Sequence, residues 1–163
     1  MMELRFDEFD RYTQEERDKW RGWFVAHPEA TSIDVQPGGR YPTVGSLVDH
    51  IFLVERRHLQ RLRGAEPDTK TGLSGLNASP LFDYGASVRR ELEQFVGELD
   101  DGVADEIRTF TVQTGTFSLT PRKLLFHCLL HETRHWAQIA LAVRRAGLEP
   151  PGTHDLLYSR ALR

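Results

Sequence analysis

The sequence predicts an all-α fold, a four-helix bundle forming a single domain over residues 1–163, with room for a short β-hairpin before the last helix. Three observations carry this. Apolar residues recur three and four apart in four long segments. Capping residues, prolines and glycines bound those segments, and no strand pattern dominates the stretches between them. Long helices with one apolar face each bury it against one another.

The first helix is expected from about Asp7 to Ala26, with Phe9, Trp20, Trp23 and Phe24 as its apolar surface. His27-Pro28 ends it, because the residue before a proline avoids helical geometry. Pro37, Gly38, Gly39 and Pro42 make residues 28–42 a loop. Thr43 then caps a second helix that Gly64 terminates. Its stripe is Val44, Leu47, Val48, Ile51, Val54 and Leu62. A glycine- and serine-containing loop leads to Ser79-Pro80, read as an N-cap followed by a first-turn proline. The third helix carries Leu81, Tyr84, Val88, Leu92, Phe95 and Leu99 and stops near Asp100-Asp101-Gly102. Alternation and β-branched residues between Glu106 and Leu119 suggest extended chain turning at Thr114-Gly115. Thr120 caps the fourth helix, Pro121 opens it, Arg144 and Arg145 suit its last turn and Gly147 ends it.

Hydrophobic residues make up 39% and charged residues 28% of the chain, an ordinary globular balance. With 21 basic and 24 acidic residues the net charge is -3, which offers no electrostatic footprint for nucleic acid. Arg56, Arg57, Arg61 and Arg63 cluster, and read as a solvated helix face rather than a phosphate site. Cys128 is the only cysteine, so no intrachain disulfide forms. Met1 to Tyr12 lacks an apolar signal core, and no apolar run is long enough to span a bilayer. The expectation is a cytoplasmic protein with neither nucleic acid nor membrane as a partner.

The chemistry lies in the histidines. His127, His131 and His135 are each four residues apart on the fourth helix. Neighbours at that spacing differ by about 40° around the axis, so His131 and His135 can close on one ion. His127 and His135 are separated by about 12 Å of rise, too far for all three. A helical wheel puts Leu124, Cys128, His131, His135, Ile139 and Ala142 on one arc, so both imidazoles are expected to point into the core. Two adjacent core histidines need hydrogen-bond partners or a metal that uses their neutral nitrogens. Spacing alone leaves both readings open. A third ligand would come from the second helix, where His58 lies mid-stripe and His50 at its edge; periodicity favours His58. Cys128 reads as a small buried hydrophobe, and His27 and His154 as surface histidines.

His131-Glu132-Thr133-Arg134-His135 is also a literal H-E-x-x-H, in which zincin peptidases use the glutamate to activate water. Glu132 is therefore a candidate catalytic base, within reach of a metal-bound water. A small metallopeptidase is one alternative, although Glu149 beyond the helix is its one downstream glutamate for a third ligand and no clear edge strand holds a peptide.

Leu124 to Gln138, LLFHCLLHETRHWAQ, resembles the signature of the DinB family of metal-binding helical proteins. Thr43 to Leu59, TVGSLVDHIFLVERRHL, is similar to that family's second helix, and Ala146 to Leu157, AGLEPPGTHDLL, to its ending. The resemblance implies a four-helix bundle, often a homodimer, with one divalent metal ion held by His50, His131 and His135, which sets His50 above His58. It implies that His127 stays off the metal and that Gln138 supports a ligand. Trp136-Ala137 stands where relatives often have Arg-Gly, and Arg134 where they often have His. Some relatives transfer low-molecular-weight thiols onto electrophiles, so a thiol S-transferase or related hydrolase is expected. The alternative is a non-catalytic metal-binding stress-response protein, with Glu55 or Glu132 as a fourth ligand. Three imidazoles suit zinc or nickel first, and copper or ferrous iron after them.

Overall fold

A computed structural model describes residues 5–71, 73, 77–112 and 114–162. The first four residues of the N-terminal stretch, and 72 and 74–76 of the expected glycine- and serine-containing loop, lie outside them. The described chain is mostly helical. Its elements are α1 (Phe6–Ala26), a 3-10 turn (Pro28–Ser32), α2 (Val44–Leu62), α3 (Ala78–Glu98), the one-turn α4 (Asp101–Ala104), β1 (Arg108–Val112), β2 (Gly115–Leu119), α5 (Pro121–Arg145) and a 3-10 turn (Leu156–Tyr158).

Local chemistry sets the boundaries. Thr43 and Ser46 cap α2 reciprocally, each side chain accepting the other's backbone N–H at 3.2 and 3.0 Å. Gly64, at φ +70, lets the chain leave α2 in a left-handed conformation. Thr120 accepts the Lys123 N–H at 3.2 Å and Pro121 opens α5, which Gly147 at φ +81 ends. α3 begins earlier than expected. Asn77, not Ser79, is its N-cap, accepting from Ser79 N at 3.2 Å, which moves Ser79 and Pro80 into the first turn. β1 and β2 form the expected antiparallel hairpin, with Phe110 opposite Phe117.

The long helices pack in a closed cycle: α2 lies against α3 and α5, and α1 against the same two. Trp20, Phe24, Val48, Phe52, Phe82, Trp136 and Ile139 centre one apolar cluster. Leu59, Leu62, Leu92, Phe110, Leu124 and Leu125 form another. Fully burying one such side chain is worth about 1.5–3 kcal/mol, so these clusters hold the helices together. Along each helix a charged residue separates the two clusters, as described below. Among the described residues, no helix is long and apolar enough to cross a membrane.

Candidate metal centre

The α2–α5 seam brings three histidines together. His131 Nε2 lies 3.2 Å from His50 Nε2 and 3.0 Å from His135 Nε2. One ring nitrogen from each of the three lies within 4.8 Å of the others, a group that could hold a metal ion. The rings meet edge to face, at 67°, 78° and 77°, so nitrogens converge instead of ring faces stacking. Tetrahedral zinc with its usual Zn–N bonds sets its imidazole nitrogens about 3.3 Å apart. The observed spacing fits that geometry.

Neighbouring groups orient the rings. His135 Nδ1 donates to Gln138 Oε1 at 2.6 Å, one turn along α5, leaving the Nε2 lone pair for the cluster. Tyr41 stacks on His50 with ring centroids 3.9 Å apart. The 33–43 loop delivers Tyr41, and an antiparallel bridge between Asp34 and Thr43 closes that loop. Burial is the largest influence on the rings' protonation, and neighbouring positive charge adds to it. His50 is drawn down to about 3, by burial and then by His135, Arg40 and Arg57. His131 is drawn down to about 2, by burial and then by the surrounding histidines. Burial also lowers His135, against the bond to Gln138. Neutral imidazoles are the metal-binding form, so the donor set suits a divalent cation at neutral pH.

The histidines do not occupy the centre of the α5 core face, as the helical wheel suggested. They are half-buried at its margin, while Glu132 and Trp136 lie at the centre, 1% and 3% exposed. The assigned arc omitted Leu125, Leu129, Trp136 and Val143, all buried, and so was centred too near the histidines. Glu132 belongs instead to a buried network. Its Oε1 accepts from Arg17 Nε at 2.6 Å and Trp136 Nε1 at 2.9 Å. Its Oε2 accepts from Arg17 Nη2 and Arg89 Nη2, both at 2.8 Å. Glu55 binds the same two arginines, with Arg89 Nε at 2.9 Å from its Oε1. Asp10 and Thr13 complete the ring on Arg89 Nη1, at 2.5 and 2.9 Å. The network thus ties α1, α2, α3 and α5 together. Both expected fourth ligands, Glu55 and Glu132, have their oxygens committed there.

The remaining histidines and the cysteine divide. His58 is buried, with Nδ1 unpartnered among the described residues, and stands 5.3 Å in ring centroid from the exposed His127. Neither is in the three-nitrogen group. Cys128 is a buried thiol donating to Leu124 O at 3.3 Å, and burial raises its pKa. His27 and His154 are not free surface groups. His27 stacks on Trp23, and His154 stacks on Trp20 while bonding Glu16. Sequence reasoning passed over Arg17, Arg89 and Tyr41. Arg89 follows Val88 on the stripe of α3 and Glu55 interrupts that of α2, so charges interrupting apolar stripes were the available signal.

Comparison with curated proteins finds no match. The model of one family, the DinB family, matches residues 1–161, nearly the whole chain. With the helical architecture and the converging histidines, that match establishes that the chain belongs to the DinB family.

Proposed function

We propose that this protein is a metal-dependent enzyme built on a four-helix bundle, acting on a small molecule at a single divalent ion held by His50, His131 and His135. The observation that carries the reading is the convergence of Nε2 atoms at 3.0 and 3.2 Å from two helices. Zinc or nickel fits such a set. Three protein ligands leave coordination positions open, the arrangement of catalytic rather than structural sites. When bound, a divalent ion there lowers the pKa of a coordinating thiol, so that the nucleophilic thiolate prevails near neutral pH.

The chain's own residues orient and shield this chemistry. Gln138 fixes the tautomer of His135. Tyr41 covers one face of His50 and limits access of water from that side. Glu132, held by two arginines and Trp136, is read as a strut rather than a base. That favours transfer of a low-molecular-weight thiol over water-activating hydrolysis or peptidase chemistry. A homodimer is the expected assembly. The test is conjugation of glutathione, bacillithiol or mycothiol to a model electrophile. Turnover that disappears with chelation and returns with added metal supports the reading. Turnover indifferent to metal removal refutes it.

A further inference from the structure

The arginine run on α2 divides into two pairs. Arg56 and Arg63 bond the Glu91 carboxylate, at 2.6 and 3.2 Å. Arg57 and Arg61, four residues apart, instead bond only backbone carbonyls among the described residues. Arg57 donates to Asp68 O and Thr69 O at 2.6 and 2.5 Å, and Arg61 to Thr111 O at 2.7 Å. With Arg40 they line a cavity of about 240 Å³ whose wall also includes His50 and His131. Among the described residues no carboxylate lines it.

A carbonyl satisfies an N–H but leaves the positive charge of the guanidinium uncompensated, and each guanidinium carries five donors. Burial and the repulsion of Arg57 together lower the pKa of Arg61. Arg57 also acts on His50 and His58, helping to hold both neutral. A wall of positive charge opposes a cation at the adjoining centre unless an anion joins it. At about 30 Å³ per water, the cavity has the volume of about eight waters, enough for a compact acid of a few carbons.

We propose that this cavity binds the anionic group, carboxylate or phosphate, of the small molecule that acts at the metal centre, with Arg57 and Arg61 gripping it. The inference rests on the metal-centre reading. It gives that reading a substrate class: small organic acids or phosphates whose reactive end reaches the His50–His131 side of the site. Guanidinium forks suit both oxyanions.

The test starts from full-length protein loaded with zinc, its metal content measured first. Calorimetric titration then compares succinate, inorganic phosphate and the neutral succinamide. The expected result is saturable binding of at least one anion, and none of succinamide. The double variant Arg57→Gln/Arg61→Gln weakens that anion roughly 10- to 100-fold, with metal content unchanged. The double lysine variant falls between, which separates loss of charge from loss of fold. Stronger binding of succinate or of phosphate identifies the group. Equal anion affinity in the glutamine variant, equal binding of succinamide, or no binding of either anion overturns the inference alone. A chain that takes up no metal overturns the metal-centre reading and this inference with it.

Discussion

Glu132→Gln separates a strut from a base. Each carboxylate oxygen of Glu132 accepts two hydrogen bonds, one pair from Arg17 and Trp136 and the other from Arg17 and Arg89. Whichever oxygen becomes the amide nitrogen turns its two contacts into donor against donor. The two buried arginines also lose one of their counter-charges, with Glu132 only 1% exposed. Breaking one side of a buried ion pair costs about 3–5 kcal/mol. For a chain of this length each kcal/mol moves the melting temperature by about 2–4 °C, so the expected fall is roughly 6–20 °C. Circular dichroism melts measure it, together with metal content and thiol turnover per folded molecule well below the transition. The account predicts a large loss of stability with both per-molecule quantities retained. A variant that melts within about 2 °C of the parent but loses turnover a hundredfold would make Glu132 a catalytic base and refute the reasoning.

Gln138→Ala removes the acceptor on His135 Nδ1 and is expected to weaken metal affinity about 10- to 100-fold, measured by chelator competition, while one ion still binds at saturation. His58 gives a pH signature. Burial holds its folded pKa down at about 3, against about 6.5 unfolded. As pH falls below 6.5 the unfolded chain takes a proton that folded His58 refuses, and stability drops by about 1.4 kcal/mol per pH unit until the folded pKa is reached. Urea midpoints at pH 6.5, 5.5 and 4.5 should therefore fall less steeply in His58→Phe; parallel profiles contradict the assignment. Gly85→Ala places a Cβ 2.6–2.7 Å from the buried Phe52 ring, which must shift, at an expected cost of about 1–3 kcal/mol in denaturant unfolding.

Much of the fold was legible because its boundaries are local chemistry. Thr43, Thr120, Gly64 and Gly147 act within one turn of where they sit, so short-range reasoning finds them. Asn77 was missed because Ser79 two residues on is also a cap-former, and the backbone alone decides between them. The His131–His135 pair followed from spacing. The third member did not. Periodicity ranks His58 above His50, yet the stripe's centre is what the core buries, and an edge position is what looks across the seam to α5. Family resemblance supplied His50 where geometry inferred from sequence did not. The buried network was missed for a different reason. Asp10, Arg17 and Arg89 drew no reading at all, Glu55 and Glu132 were read toward the metal, and only pairing across four helices makes the burial of all five tolerable.

The most direct test of the metal centre is elemental analysis of the purified chain beside His50→Ala, with X-ray absorption at the edge of whichever metal is found. The account predicts one divalent ion per chain, at least three nitrogen ligands near 2.0–2.1 Å if it is zinc, and loss of the ion on removing His50. A full complement of metal in His50→Ala, or a sulfur-bound ion, contradicts it.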